Sequence, residues 1–246
     1  MYYGVFVVDV SLMVKPVWQV ESLRKTFFVP IGASAPVGGF WKSITDTEPA
    51  DQTVKPLLKT TTETGLWQER TLTITSQPGR VDLILSSTPN VIGLPNIGSY
   101  ADALASFRDL ALPANFEQII RIAFGVAVLS PYDSHEACYE GLGAMLSHVK
   151  ISPKSREFLY RVNNPTTSSK HNGLHINCIS TWAAIKSVIV AMSNSTTSET
   201  VSFAVRAELD ISTDAESEIA SGVNVTPILE EFYALGDKVL NEGPTP

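Results

Sequence analysis

Hydrophobic and polar positions alternate most strictly over Thr200–Ile211. Val201, Phe203, Val205, Ala207, Leu209 and Ile211 stand there against polar neighbours. A period of two in a β-branched and aromatic set predicts a half-buried strand. The same period over Leu66–Ser76 and Arg80–Ser87, with Pro78-Gly79 between them, predicts a β-hairpin. Proline presets the first central torsion of such a turn and glycine accepts the positive φ of the second. Tyr3–Met13, Glu157–Val162 and Gly173–Ile179 read as further strands, with shorter candidates at Phe40–Ile44 and Lys55–Thr61. Thr181–Met192 is apolar with little alternation, and its β-branched residues favour a strand. At the middle of the chain lies Ile119–Ser130, IIRIAFGVAVLS, with one charge at Arg121. This stretch predicts a strand buried on at least one face.

Helical spacing is seen in four places. Val17, Val20, Leu23, Arg24 and Phe27 predict a helix over Val17–Phe28, with Pro16 at its start. Ser99 is placed to cap a helix over Tyr100–Leu112, which Pro113 would stop. Asp133 followed by Glu136 reads as a capping box for a helix over Ser134–Val149. Gly141 and Gly143 either weaken that helix or admit a close neighbour. Thr226-Pro227 opens a last helix, with Ile228, Leu229, Phe232, Leu235, Val239 and Leu240 on one stripe.

Laid end to end, these elements predict an α+β fold in two βαβββα-like halves, 1–114 and 115–246. Consecutive strands pair antiparallel, and their helices must cover one face. Two such units joined edge to edge would resemble the TATA-binding-protein-like fold, an analogy that does not fix function.

Composition narrows the class. The 246 residues are 44% hydrophobic and 17% charged, enough for a real core, and the net charge is −7. An acidic chain without a Lys/Arg run is disfavoured as a nucleic-acid binder. The apolar N-terminus has no basic leader, and no apolar run reaches the roughly 18 residues of a membrane helix. Cys138 and Cys178 match no metal spacing and read as two free thiols. A cytoplasmic protein is the expectation.

The chain carries few chemical motifs. His171 and His175 are four apart, but Gly173 between them makes a loop rather than a helical metal pair. Gly32–Gly39 lacks the Lys and Ser/Thr of a phosphate loop, and no GxSxG elbow is present. No metal or cofactor is expected. The densest polar and aromatic stretch, Arg156–Trp182, offers a binding surface: Tyr160, Arg161, Asn163, Asn164, His171, His175, Asn177 and Trp182.

The words PGRVDLIL (Pro78–Leu85), EFLYRVNNP (Glu157–Pro165) and GLHINCISTW (Gly173–Trp182) resemble those of a sporadically distributed family of bacterial proteins of unknown function. The resemblance implies a prokaryotic cytoplasmic protein and no enzyme class. Together these readings predict a non-catalytic interaction protein that self-associates or binds a co-encoded protein. The alternative is a small-ligand protein or enzyme with a pocket between sheet and helices.

Overall fold

A computed structural model describes residues 16–30, 39–88, 93–110, 118–193 and 196–244. The strand expected at Tyr3–Met13, most of the loop at Pro30–Gly39, the stop at Pro113 and the 114/115 boundary lie outside them. The fold is α+β. Its strands are β1 (Gln19–Phe28), β2 (Asp51–Lys55), β3 (Thr60–Trp67), β4 (Arg70–Gln77), β5 (Arg80–Ser86), β6 (Arg121–Tyr132), β7 (Leu159–Asn163), β8 (Thr166–Thr167), β9 (His175–Ser193) and β10 (Thr196–Thr213). They form one antiparallel sheet in the order β2-β3-β4-β5-β1-β6-β10-β9-β7, with β8 also paired to β9. Among the described residues the helices are α1 (Phe40–Thr45), α2 (Tyr100–Arg108), α3 (His135–Met145) and α4 (Thr226–Glu242). Along the chain the order is β1, α1, β2 to β5, α2, then β6, α3, β7 to β10, α4.

The predicted central stretch is a central strand. β6 pairs with β1 on one side and β10 on the other, and Ile122–Ser130 are all buried. Its inner face carries Ile122, Phe124, Val126 and Val128, and its outer face Ala123, Gly125 and Ala127. The helices lie on the inner face. Phe124 stacks edge-on against Tyr233 of α4 at 4.9 Å. Tyr132 sits under α3 so closely that a Cβ on Gly141 would overlap its hydroxyl. Trp41 of α1 covers Gly65 of β3, where a Cβ would meet the indole at 2.7 Å.

The helix expected at Val17–Phe28 is instead β1. A bulge at Glu21 shifts the register between Val20 and Ser22. Val20 and Leu23 therefore both point inward although they are three apart, which imitates helical spacing. Beyond the bulge Leu23, Lys25 and Phe27 alternate inward, so Lys25 enters the core with 2% of its surface exposed. Its Nζ donates to the carbonyls of Phe107 (2.6 Å), which also accepts from the Leu110 N–H, and Leu110 (2.8 Å) at the end of α2.

The strand expected at Phe40–Ile44 is α1. The buried Glu63 carboxylate accepts from the backbone N–H groups of Gly39 and Trp41, supplying the missing cap. The strand expected at Lys55–Thr61 is two strands parted by a 3-10 turn at Pro56–Leu58. Leu66–Ser76 is likewise broken, because Gln68 and Glu69 turn the chain with φ of 47° and 63°. The Pro78-Gly79 hairpin forms as expected, with Gly79 at φ 79°.

Ser99 caps α2 by accepting from Asp102, but the helix ends at Arg108. Ser134, not Asp133, caps α3, so Glu136 is one position short of a capping box, and α3 ends at Met145. The strand placed at Glu157–Val162 begins later, at Leu159. The two strands expected over Gly173–Ile179 and Thr181–Met192 are one, β9. The last helix forms from Thr226, burying Ile228, Phe232 and Leu240 and leaving Leu235 half-buried.

Candidate functional site

The eight residues drawn from Arg156–Trp182 divide between the two faces of the sheet. Tyr160 and Trp182 are register partners on the inner face. The Tyr160 hydroxyl meets His148 Nε2 at 3.0 Å, and Trp182 is fully buried against Trp18. Arg161, Asn163 and Asn177 lie on the outer face. Asn163 donates to the side-chain oxygen of Asn177 (2.8 Å) and accepts from the Cys178 N–H, while Asn177 donates to Asp214 at 3.4 Å. Asn164 bonds the Cys178 carbonyl through its backbone. These bonds hold β7 to β9, so the asparagines serve pairing here.

The histidines are not brought together as ligands. His175 is exposed on β9, and His171 lies in a loop organised by Ser168, with its Nδ1 buried and unpartnered. Ser168 accepts from the N–H groups of Lys170 and His171 and donates to Glu231 of α4. Burial alone would raise the Glu231 pKa; the bonds from Ser168 and Ser169 outweigh it and hold the carboxyl below its usual value. Among the described residues no group of three or more His, Cys, Asp or Glu is placed to hold a metal ion.

Nucleophilic chemistry finds no activated group in the thiols. Cys138 and Cys178 are free and buried. Burial pushes Cys138 up to about 11 and raises Cys178, which keeps both protonated near neutrality.

The described helices pack on the inner face, and several charges of the outer face are paired. Arg24 reaches Asp210 (3.7 Å), Arg206 contacts both Glu21 and Glu208 (2.7 Å each), and Arg80 contacts Asp82 (2.7 Å). Arg24 lies flat over Gly125, where a Cβ would come within 3.3 Å of its Nε. Opposite charges thus neutralise one another at these pairs.

Two features were not legible from the sequence. The first is an arm. β10 pairs with β6 only from Phe203 onward, and β7 reaches only as far as Ala183 on β9. Among the described residues, Ser187–Ser193 and Thr196–Ser202 therefore pair only with each other. This ribbon exposes Val188 (46%), Val190 (55%) and Val201 (41%) on one face. Sequence alternation does not distinguish a strand inside a sheet from one that outruns it.

The second is a cleft of about 370 Å³ between the sheet and the C-terminal ends of α3 and α4. Tyr132 and Trp182 line it from the sheet, Met145 and Leu240 from the helices, and Glu140 and Glu242 from the exposed rim. Four separate elements contribute, and only Gly141, flagged for a close neighbour, hinted at it. The Trp182 indole N–H finds no acceptor among the described residues.

No family model, curated protein or solved structure matches this chain.

Proposed function

We propose that this chain is a non-catalytic interaction protein of the cytoplasm, associating with itself or with a co-encoded protein through the β9–β10 arm. The observation that carries this reading is the arm's exposed valine face on a ribbon whose two edges are unpaired among the described residues. A two-stranded hairpin is marginal alone, and free edges template further pairing. A second copy would offer a matching apolar face or strand edge. Among the described residues no helix is long and apolar enough to cross a membrane, which accords with a partner other than a bilayer. The resemblance to bacterial proteins of unknown function agrees with this role and adds no chemistry.

Light scattering coupled to size exclusion tests the reading. The wild type is expected to run as an oligomer or with a co-purifying partner, and Val188→Lys/Val190→Lys as a monomer. A wild type that is strictly monomeric and partnerless overturns it.

The same proposal extends to architecture: the two halves are copies of one unit, joined at the β1–β6 seam as in a TATA-binding-protein-like fold. Support comes from matching neighbours. β5 flanks β1 as β10 flanks β6, and α2 packs on β1 as α4 packs on β6. A second functional reading, a small-ligand protein or enzyme, is favoured by the cleft beneath α3 and α4.

A further inference from the structure

We infer that the cleft between α3 and α4 binds a small organic cation, an ammonium with an apolar body and a hydrogen-bond acceptor a few bonds away. This rests on the second reading above and is independent of association through the arm.

Charge sets the sign of the ligand. Met145 ends α3 and Glu242 ends α4, and both line the cleft. The two ends touch at backbone level: a Cβ on Gly243 would lie 2.5 Å from the Met145 carbonyl oxygen. Each helix C-terminus carries roughly half a negative charge from its aligned peptide dipoles. Glu140 and Glu242 add two carboxylates, and no Lys or Arg among the described residues lines the space. The charged groups that line it repel an anion and attract an ammonium.

The floor sets the rest. Met145, Leu240 and the rings of Tyr132 and Trp182 give an apolar wall, and aromatic faces hold ammonium groups favourably. Trp182 is fully buried, yet its indole N–H is unpartnered. A buried donor without an acceptor is costly, and a ligand carbonyl would relieve it. The neighbouring Trp18 is already satisfied, donating to the Leu240 carbonyl at 2.9 Å.

Acetylcholine carries both groups and serves as the probe. Its uncharged isostere 3,3-dimethylbutyl acetate isolates the charge, and hexanoate supplies the opposite sign. The readout is the indole N–H resonance of Trp182 in the ¹⁵N-labelled full chain, assigned with Trp182→Phe. Acetylcholine is expected to move that resonance saturably, with a dissociation constant of about 1 mM or tighter. The isostere should bind about tenfold more weakly, and Glu140→Gln/Glu242→Gln should lose a similar factor for acetylcholine. Ala144→Trp, a change at the exposed mouth, should abolish the shift with the thermal transition retained. No shift at 10 mM, equal binding of the isostere, binding of hexanoate, or survival of binding in Ala144→Trp would each overturn the inference. Light scattering of the same samples reads association separately, so failure here leaves that reading standing.

Discussion

The sheet has two flanks about the β1–β6 seam, and they secure their register differently. On one flank β3, β4 and β5 are seven or eight residues long and joined by two-residue turns at Gln68-Glu69 and Pro78-Gly79. Threonines face one another across β3 and β4 at Thr62–Thr75 and Thr64–Thr73. Turn geometry and strict alternation fix that flank locally. On the other flank β9 and β10 run 19 and 18 residues. Their inner segments are fixed by the seam, and their outer segments project as the arm. The locally specified flank stays within the sheet; the one specified by long-range pairing has length left over, and that excess is where an interaction surface arises.

The largest expected effect tests whether the two flanks share one core. Phe107 of α2 and Phe232 of α4 are both fully buried, one over each side of the seam. Each Phe→Ala substitution is expected to cost about 3–5 kcal/mol, the usual range for emptying a buried phenylalanine site. Chemical denaturation should show a single transition in both variants, because one cluster of buried side chains spans the sheet. Two resolved transitions would divide the flanks into separate cores and break the comparison.

A smaller effect concerns the seam itself. Lys25 lies under the α2 terminus, 4.7 Å from the Phe107 ring centroid, and burial lowers its pKa to about 8 against the nearby charges of Glu230 and Asp109. Between about pH 8 and the unfolded value of 10.5 the folded state binds fewer protons, so stability rises with pH across that window. Below pH 8 the buried charge costs its full penalty, on the order of 3 kcal/mol. Lys25→Met removes that penalty but takes the ammonium donor from the carbonyls of Phe107, which keeps the Leu110 N–H, and Leu110. A net loss of about 1–2 kcal/mol at pH 7 is expected. The gap to the wild type should widen from pH 8 to 10. Burial raises the Cys138, Tyr100 and Tyr233 pKa values and weakens the fold at high pH, but equally in both proteins. A gap that stays flat would place the Lys25 ammonium in water rather than in the core.

These residues also show which features a sequence discloses. The α+β class, the central strand, the Pro78-Gly79 hairpin and the last helix were legible because each carries its own local signal. β1 was misread because a bulge at Glu21 puts Val20 and Leu23 on one face, and because an inward lysine looks like a solvent position. α1 was misread because its cap is Glu63, a residue more than twenty positions away. Of the eight candidate site residues, Asn163 and Asn177 proved to be pairing groups, and Trp182 alone lines the cleft. The cleft itself needs β6, β9, α3 and α4 assembled, which no single window of sequence contains.

The smallest effect sharpens the comparison within the locally fixed flank. Its two turns have the same length but unequal chemistry. Gly79 takes its positive φ without steric cost, whereas Gln68 and Glu69 both hold left-handed torsions against their own Cβ atoms. Asparagine and glycine accept those torsions more readily and are the favoured pair at this turn type. Gln68→Asn/Glu69→Gly is therefore expected to stabilise the protein by about 1 kcal/mol. Glycine also loosens the unfolded chain, which offsets part of the gain. The same treatment has nothing to relieve at Pro78-Gly79, and Gly79→Ala there should cost about 1 kcal/mol or more. Denaturant midpoints for the two variants should thus move in opposite directions. A midpoint that falls for Gln68→Asn/Glu69→Gly would show that these side chains contribute contacts outweighing the strain. The register of β3 on β4 would then rest on the threonine pairs rather than on the turn.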